Sequence, residues 1–216
     1  MVMKIRGVVH ICQLGEWRRS LSILMKSIVS SGLYDVSESI DFCVLSPREV
    51  PDDIQMLPKT SVRCVGTPAL YERPTLLHLR NKAASDEDQV YYWYVHTKGL
   101  RWFGTEREQP VLDWIQLLLF WNVQQWKKAT AELDNGFDVY GCNQTNVPIN
   151  HYSGNFWWAT SSYLKTLPDT IGDGYNDPEF WIMRSNPKWS CVFRSGLEGM
   201  GHYFNKYPSI LYKFRC

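Results

Sequence analysis

Residues 91–103 read YYWYVHTKGLRWF. Five large or β-branched apolar side chains precede His96 in it, and such a run bounded by turn residues reads as a buried strand. It stops on an imidazole, a hydroxyl, an ammonium and a glycine. Working outward, RPTLLHLRNKAAS (73–85) predicts a helix with proline in its first turn. Upstream, IRGVVHIC (5–12), IDFCVLSP (40–47) and SVRCVG (61–66) read as strands. Between the first two, Trp17, Leu21, Leu24 and Ile28 have helical spacing and Gly32 is a natural stop. Downstream, 109–133 predicts the longest helix, with Trp114, Leu118 and Trp121 along one face. FDVYGCN (137–143), a stretch NFWWA, a short helix SSYLKTLP, a helical DPEFWIMRS and a strand WSCVF follow. Strands alternating with helices predict an α/β fold: a central, mostly parallel mixed sheet flanked by helices. Residues 1–216 show no internal repeat and no low-complexity linker, and are expected to form a single domain.

The formal net charge of +1 argues against a nucleic-acid partner, which calls for a basic excess or stripe. The short basic stretch 206–215 reads as a solvated end. No apolar run reaches the length of a membrane span; the best candidate, VLDWIQLLLFWNV, is short and contains Asp113 and Gln116. MVMKIRGVVHIC runs straight into a strand pattern without signal-peptide character, so a cytoplasmic location is expected. The six cysteines lack metal-binding spacing and read as buried, reduced thiols. The sequon Asn143-Gln144-Thr145 then carries no meaning. The compositional excess is aromatic, ten tryptophans above all. Most should be core; a few could serve as platforms for sugars or bases.

Ligands in open α/β sheets sit beyond the carboxyl ends of the strands. That edge is expected to carry His10 to Gln13, Ser46 and His96 to Gly99. The acidic run SDEDQ (85–89) precedes its strand and falls at the opposite edge, as a solvated turn. His96, Thr97, Lys98 and Gly99 together suit a phosphate or diphosphate; the competing reading is a strand end with a core histidine and a surface lysine. HYSGNFWWA brings His151, Ser153, Asn155, Trp157 and Trp158 together, hydrogen-bonding groups beside aromatic faces, as a sugar ring requires. Inward packing accounts equally for at least one of the two tryptophans. Asp177 and Glu179 open a predicted helix, as N-terminal caps or as site carboxylates.

Tyr71-Glu72-Arg73-Pro74-Thr75-Leu76, YVHTKG, VLDW, YGCN, HYSGNFWWATSSYLKTLP, PEFWI and GHYFNKY occur in that order over most of the chain. Together they resemble a group of GT-A-type glycosyltransferases found in bacteria, algae and large DNA viruses, among them enzymes that build viral capsid glycans. The resemblance implies a GT-A-like, Rossmann-like domain. It implies a nucleotide-sugar donor, by preference a UDP-sugar such as UDP-glucose, and transfer of one sugar to a glycan or glycoprotein acceptor. It also implies a divalent metal, Mn²⁺. Here the chain departs from the family: GT-A enzymes generally carry Asp-x-Asp at the strand end where this chain has His96-Thr97-Lys98. An ammonium cannot ligate a metal, so either Lys98 replaces part of the ion's charge or the ion sits beside His96 with other ligands, His202 being one candidate.

Within that resemblance the base and ribose are expected near His10, Ile11 and Gln13, and Arg80 on the donor phosphates or sugar. His96, Thr97, Lys98 and Gly99 surround the diphosphate. His151, Ser153, Asn155, Trp157 and Trp158 shape the sugar and acceptor pocket. Glu179 or Asp177 is the carboxylate near the reacting carbon. The alternative function is a carbohydrate-binding module without transfer activity.

Overall fold

The computed structural model describes residues 3–214. Strands β1 (Lys4–Cys12), β2 (Ser39–Leu45), β3 (Thr60–Gly66) and β4 (Val90–His96) are mutually parallel, in the order β3-β2-β1-β4. Continuing outward from β4, the sheet adds β8 (Trp157–Thr160), β5 (Val139–Gly141) and β9 (Trp189–Cys191), seven strands in all. β8 runs antiparallel to both its neighbours, and β5 and β9 pair in parallel. A separate two-stranded ribbon, β6 (Gln144–Thr145) and β7 (His151–Tyr152), forms within the excursion between β5 and β8. The sheet is thus mixed and mostly parallel, and helices flank it, as the alternation of patterns predicts.

Side-chain alternation along these strands loads both faces with apolar residues, so the sheet separates two cores. Ile11, Trp93, Val95, Tyr140 and Trp158 belong to one, with α1 (Trp17–Ser30), α4 (Glu108–Leu119) and α5 (Trp126–Asp134). Val8, Tyr92, Tyr94, Val139 and Trp157 belong to the other, with α3 (Arg73–Ala84), α6 (Ser161–Leu164) and α7 (Asp177–Trp181). Each large apolar side chain so buried stabilises the fold by about 1.5–3 kcal/mol. Two short helices, α2 (Leu33–Val36) and α8 (Gly201–Phe204), complete the set.

Gly7 lies opposite Trp93 in the β1–β4 register, and the indole crosses it. A Cβ at Gly7 would sit 2.0 Å from Trp93 Cζ2, so the position has no room for any side chain. The Trp93 indole N–H then reaches Ser37 Oγ at 3.0 Å.

The helix predicted over 109–133 is interrupted. Residues Phe120–Gln124 form one π-helical turn between α4 and α5, with Gln125 N–H bonded to the Phe120 carbonyl at 2.9 Å. Such a turn releases carbonyls from the α-helical ladder. The Trp121 carbonyl accepts Tyr140 O–H at 3.0 Å, and the Asn122 carbonyl accepts the Trp158 indole N–H at 2.7 Å. Two buried aromatic donors of the sheet are satisfied in this way, as burial demands.

The acidic run 85–89 lies at the amino edge of β4, as expected, but it is more than a solvated turn. Asp86, only 7% exposed in its side chain, takes an ion pair from Arg6 at 2.5 Å and a hydrogen bond from Tyr92 O–H at 2.8 Å. The five described cysteines are all free. No helix among the described residues is long and apolar enough to cross a membrane. Residue 215 of the basic stretch 206–215 lies outside the described residues.

Candidate functional site

His10 and His96 are register partners in β1 and β4, so both side chains emerge on the same face near the carboxyl edge. Their ring centroids are 6.5 Å apart. Beyond this edge lies a cleft of two communicating cavities, about 510 Å³ and 300 Å³. Tyr71, Glu72, His96, Lys98, Arg101, Trp102, Tyr175 and Tyr203 line both. His151, Ser153, Asn155 and Glu179 line only the larger; His10, Cys12, Thr97 and Gly99 line only the smaller.

Each residue of the tetrapeptide 96–99 has a separate task. His96 Nε2 is 3.1 Å from the Gly154 carbonyl, and Nδ1 is 3.1 Å from the Thr97 carbonyl. Only an imidazolium could donate to both. Burial and the charge of Lys98 outweigh those two carbonyls and hold the ring neutral, with its pKa lowered to about 4. One ring nitrogen therefore donates while the other sets its lone pair against an oxygen. Thr97 Oγ1 accepts the Cys12 N–H at 2.9 Å and so ties the end of β4 to the end of β1. Ser20 Oγ of α1 bridges the Lys98 backbone, accepting its N–H and donating to its carbonyl, each at 3.0 Å. Gly99 turns the chain at φ +79.

Lys98 Nζ lies 3.8 Å from the centroid of the Trp114 ring. Among the described residues it has no carboxylate partner, and neither does Arg101. Two cations in one cleft without an acidic partner make an anion-accepting wall.

The opposite sign comes from Glu72 and Glu179. Glu72 Oε2 accepts Tyr94 O–H at 3.0 Å and the Asn155 side-chain amide, while Oε1 is 3.7 Å from His96 Nε2. Glu179 Oε1 accepts the Gly154 N–H at 2.6 Å. Glu72, His96 and Glu179 thereby fix one turn, Gly154–Asn155, whose residues have φ +98 and +54. A Cβ at Gly154 would lie 2.7 Å from Leu118 Cδ1, in a conformation that side chains rarely adopt. His151 Nδ1 donates to the Ile149 carbonyl at 2.7 Å, which leaves Nε2 as an acceptor. Ser153 Oγ has no protein partner among the described residues.

Several residues expected at the site lie elsewhere. Ile11 is fully buried, on the opposite face of β1 from His10, by strand alternation. Gln13 is consumed by the loop after β2: its amide donates to the Asp52 carbonyl at 2.7 Å and accepts the Asp52 N–H at 2.8 Å. Arg80 donates to the Leu167 carbonyl at 2.6 Å and lines neither cavity. Trp157 and Trp158 are fully buried, on opposite faces of the sheet, and their N–H groups bond to Asn155 Oδ1 and the Asn122 carbonyl. Asp177 Oδ2 accepts the Gly174 N–H at 2.9 Å, capping its own loop outside both cavities. Glu72, which sequence reasoning passed over, joins Tyr94, Asn155 and His96 within the cleft. The signal for it was present: an acid opening the helix after a parallel strand stands at the ligand edge.

The two histidines expected on a metal are both otherwise engaged. His202 Nε2 contacts Ser195 Oγ at 2.8 Å and the Asn143 amide nitrogen at 3.3 Å, and the ring stacks on Trp114 at 5.0 Å. Its Nδ1 is buried and has no hydrogen-bond partner. His202 lines neither cavity. Among the described residues no three His, Cys, Asp or Glu side chains form a group that could hold a metal ion. As arranged, the donor set does not fit a resident Mn²⁺, which prefers several oxygen or imidazole ligands.

No protein-family model matches the chain, and no curated protein sequence matches it. Among solved structures it is similar to the A197 protein of STIV, at 8% identity and a TM-score of 0.42, over 88% of this chain and 82% of that one. It is also similar to a protein from Desulfovibrio desulfuricans G20 provisionally described as a nucleotide-diphospho-sugar transferase. That match has 13% identity and a TM-score of 0.41, over 89% of this chain and 81% of the other.

Proposed function

We propose that the protein is a glycosyltransferase of GT-A-like, single-domain architecture that uses a nucleotide-sugar donor. The observation that carries the reading is that one cleft at the carboxyl edge of the parallel strands holds Lys98 and Arg101, which have no carboxylate partner among the described residues, together with Glu179. The sequence resemblance supports the same conclusion independently.

The diphosphate lies against Lys98 and Arg101, where charge-assisted contacts offset the negative charge that grows on the departing nucleotide. The base end extends into the smaller cavity beside His10, Cys12, Leu14 and Pro68. The sugar occupies the larger cavity, within reach of Ser153 Oγ, His151 Nε2 and Glu179. As the C1–O bond to phosphate breaks, its electron pair leaves with the nucleoside diphosphate. The acceptor hydroxyl forms the new bond to C1. In an inverting reaction Glu179 takes the proton of that hydroxyl; in a retaining one Glu179 stabilises the oxocarbenium-like state and the proton passes to the departing phosphate oxygen.

Calorimetric titration with UDP, UDP-glucose, uridine and glucose, each with Mn²⁺ and with a chelator, tests the reading. Binding of UDP and UDP-glucose well above uridine is the expected result, and the chelator arm reads the metal contribution. Binding of glucose with no response to any nucleotide would instead favour a carbohydrate-binding module. No response to either class rejects the donor site.

A further inference from the structure

Burial of Trp157 and Trp158 leaves ring stacking in the cleft to other side chains. Tyr71 and Tyr175 line both cavities, are 42% and 64% exposed, and meet edge to face at 5.1 Å. Trp102 and Tyr203, tilted together at 5.9 Å, line the same shared region.

The tyrosine pair is held in place by groups with no other role in the cleft. Tyr71 has φ +50 and ψ −141, outside the regions a residue with a side chain normally occupies. Arg73 reaches across to the loop that carries Tyr175, donating from Nε to the Gly172 carbonyl and from Nη2 to the Gly174 carbonyl, both at 2.7 Å. Asp177 accepts the Gly174 N–H on the far side of the same loop. Strain at one tyrosine and three hydrogen bonds beside the other fix two exposed rings at a cleft mouth. Both rings remain exposed despite this support, and the arrangement points to a ligand.

Resting on the glycosyltransferase reading, we propose that Tyr71 and Tyr175 form a stacking platform for a pyranose ring of the acceptor glycan. A pyranose offers an apolar C–H face to an aromatic ring and hydroxyls at its edge. Asn176 and Glu179 follow Tyr175 closely in the chain and line only the larger cavity, where those hydroxyls would lie. A pyrimidine base would stack as well, but the base end of the cleft is the smaller cavity at His10 and Cys12.

The test uses saturation-transfer NMR on the full chain in the presence of UDP. The probes are the methyl glycosides of β-glucose, β-galactose, β-xylose and α-mannose. At least one should receive saturation on its ring C–H protons. Tyr175→Ala should weaken that glycoside by about three- to tenfold, and Tyr175→Phe should keep its affinity. Arg73→Ala, which keeps both tyrosines but frees the Tyr175 loop and removes the guanidinium 5.6 Å from the Tyr71 ring, should also weaken it. UDP affinity, read by calorimetry, should stay within about twofold in all three. Unchanged glycoside affinity in Tyr175→Ala overturns the proposal. So does a loss of uridine affinity with glycoside binding intact, which would make the pair a base platform. A wild-type protein that binds UDP but none of the glycosides also overturns it. Failure of UDP to bind would remove the donor reading, while the glycoside arm would still decide the platform.

Discussion

Glu179 Oε1 accepts the Gly154 backbone N–H at 2.6 Å. The contact joins the start of α7 to the turn that feeds β8, and it leaves the second carboxylate oxygen available to the cleft. Asp177, two residues earlier, accepts the Gly174 N–H and pairs with Arg184 at 3.8 Å, outside both cavities.

The two acids should therefore separate on substitution. Glu179→Gln retains an acceptor oxygen for Gly154 and should lose no more than about 1 kcal/mol of stability. Sugar transfer should fall by about 10²-fold or more, the scale of general acid–base catalysis. Asp177→Asn should transfer sugar at the wild-type rate. Melting temperature and single-turnover transfer on the two purified variants read both quantities. Equal rates for wild type and Glu179→Gln would reject the carboxylate role and leave Glu72 as the acid to examine.

Lys98→Ala should weaken UDP far more than uridine, because the ammonium acts on phosphate. A charge-assisted contact contributes about 1.5–3 kcal/mol, so UDP affinity should drop by roughly tenfold to over a hundredfold. Equal losses for both ligands, by calorimetry, would mean that Lys98 only packs on Trp114.

Trp157 should behave as a core residue. Trp157→Ala opens a void and orphans Asn155 Oδ1, and should cost about 3–5 kcal/mol in urea unfolding. A near-neutral effect on unfolding, with a selective loss of glycan binding, would reinstate the ring as a sugar platform.

Burial depresses the pKa of His10 and His96 to about 4, with Lys98 adding to the effect at His96 and His96 at His10. The folded rings stay neutral while the unfolded ones take up protons below about 6.5. Stability should thus be complete above pH 6.5 and decline as pH falls towards 4, by on the order of 1–3 kcal/mol per ring. Asp41 titrates lower: burial acts to raise its pKa, but His78 and Lys82 overcome this and bring it to about 2. Its loss therefore falls outside that window. Urea midpoints across pH 4–7.5 check this, and a rise in stability on acidification through that range would contradict it.

Much of the fold was legible because its signals are local. The strand ending at His96, the proline-opened α3 and the apolar faces of α1 and α4 follow from periodicity and punctuation. The reversal of β8 was not legible, since alternating side chains read the same in either direction. Nor was the π turn at 120–124, whose released carbonyls are claimed by Tyr140 and Trp158 from distant parts of the chain. At the candidate site, Lys98, read from its position at a strand end, and Glu179, read from its place at a helix start, both line the cleft. Gln13 and Arg80 were misplaced because a polar side chain at the right edge can be spent on a neighbouring loop. Their partners, Asp52 and Leu167, are 39 and 87 residues away.

The reversed strand has one more consequence. Because β8 enters the sheet at the ligand edge, the whole excursion from 142 to 156 leaves and returns through that edge. It carries its own ribbon, and both its ends are anchored in adjacent strands. A change of length or sequence at the tip of that segment should therefore reshape the larger cavity while the pairing of β1 to β4 is kept, as long as Gly154 and Asn155 still meet His96, Glu72 and Glu179.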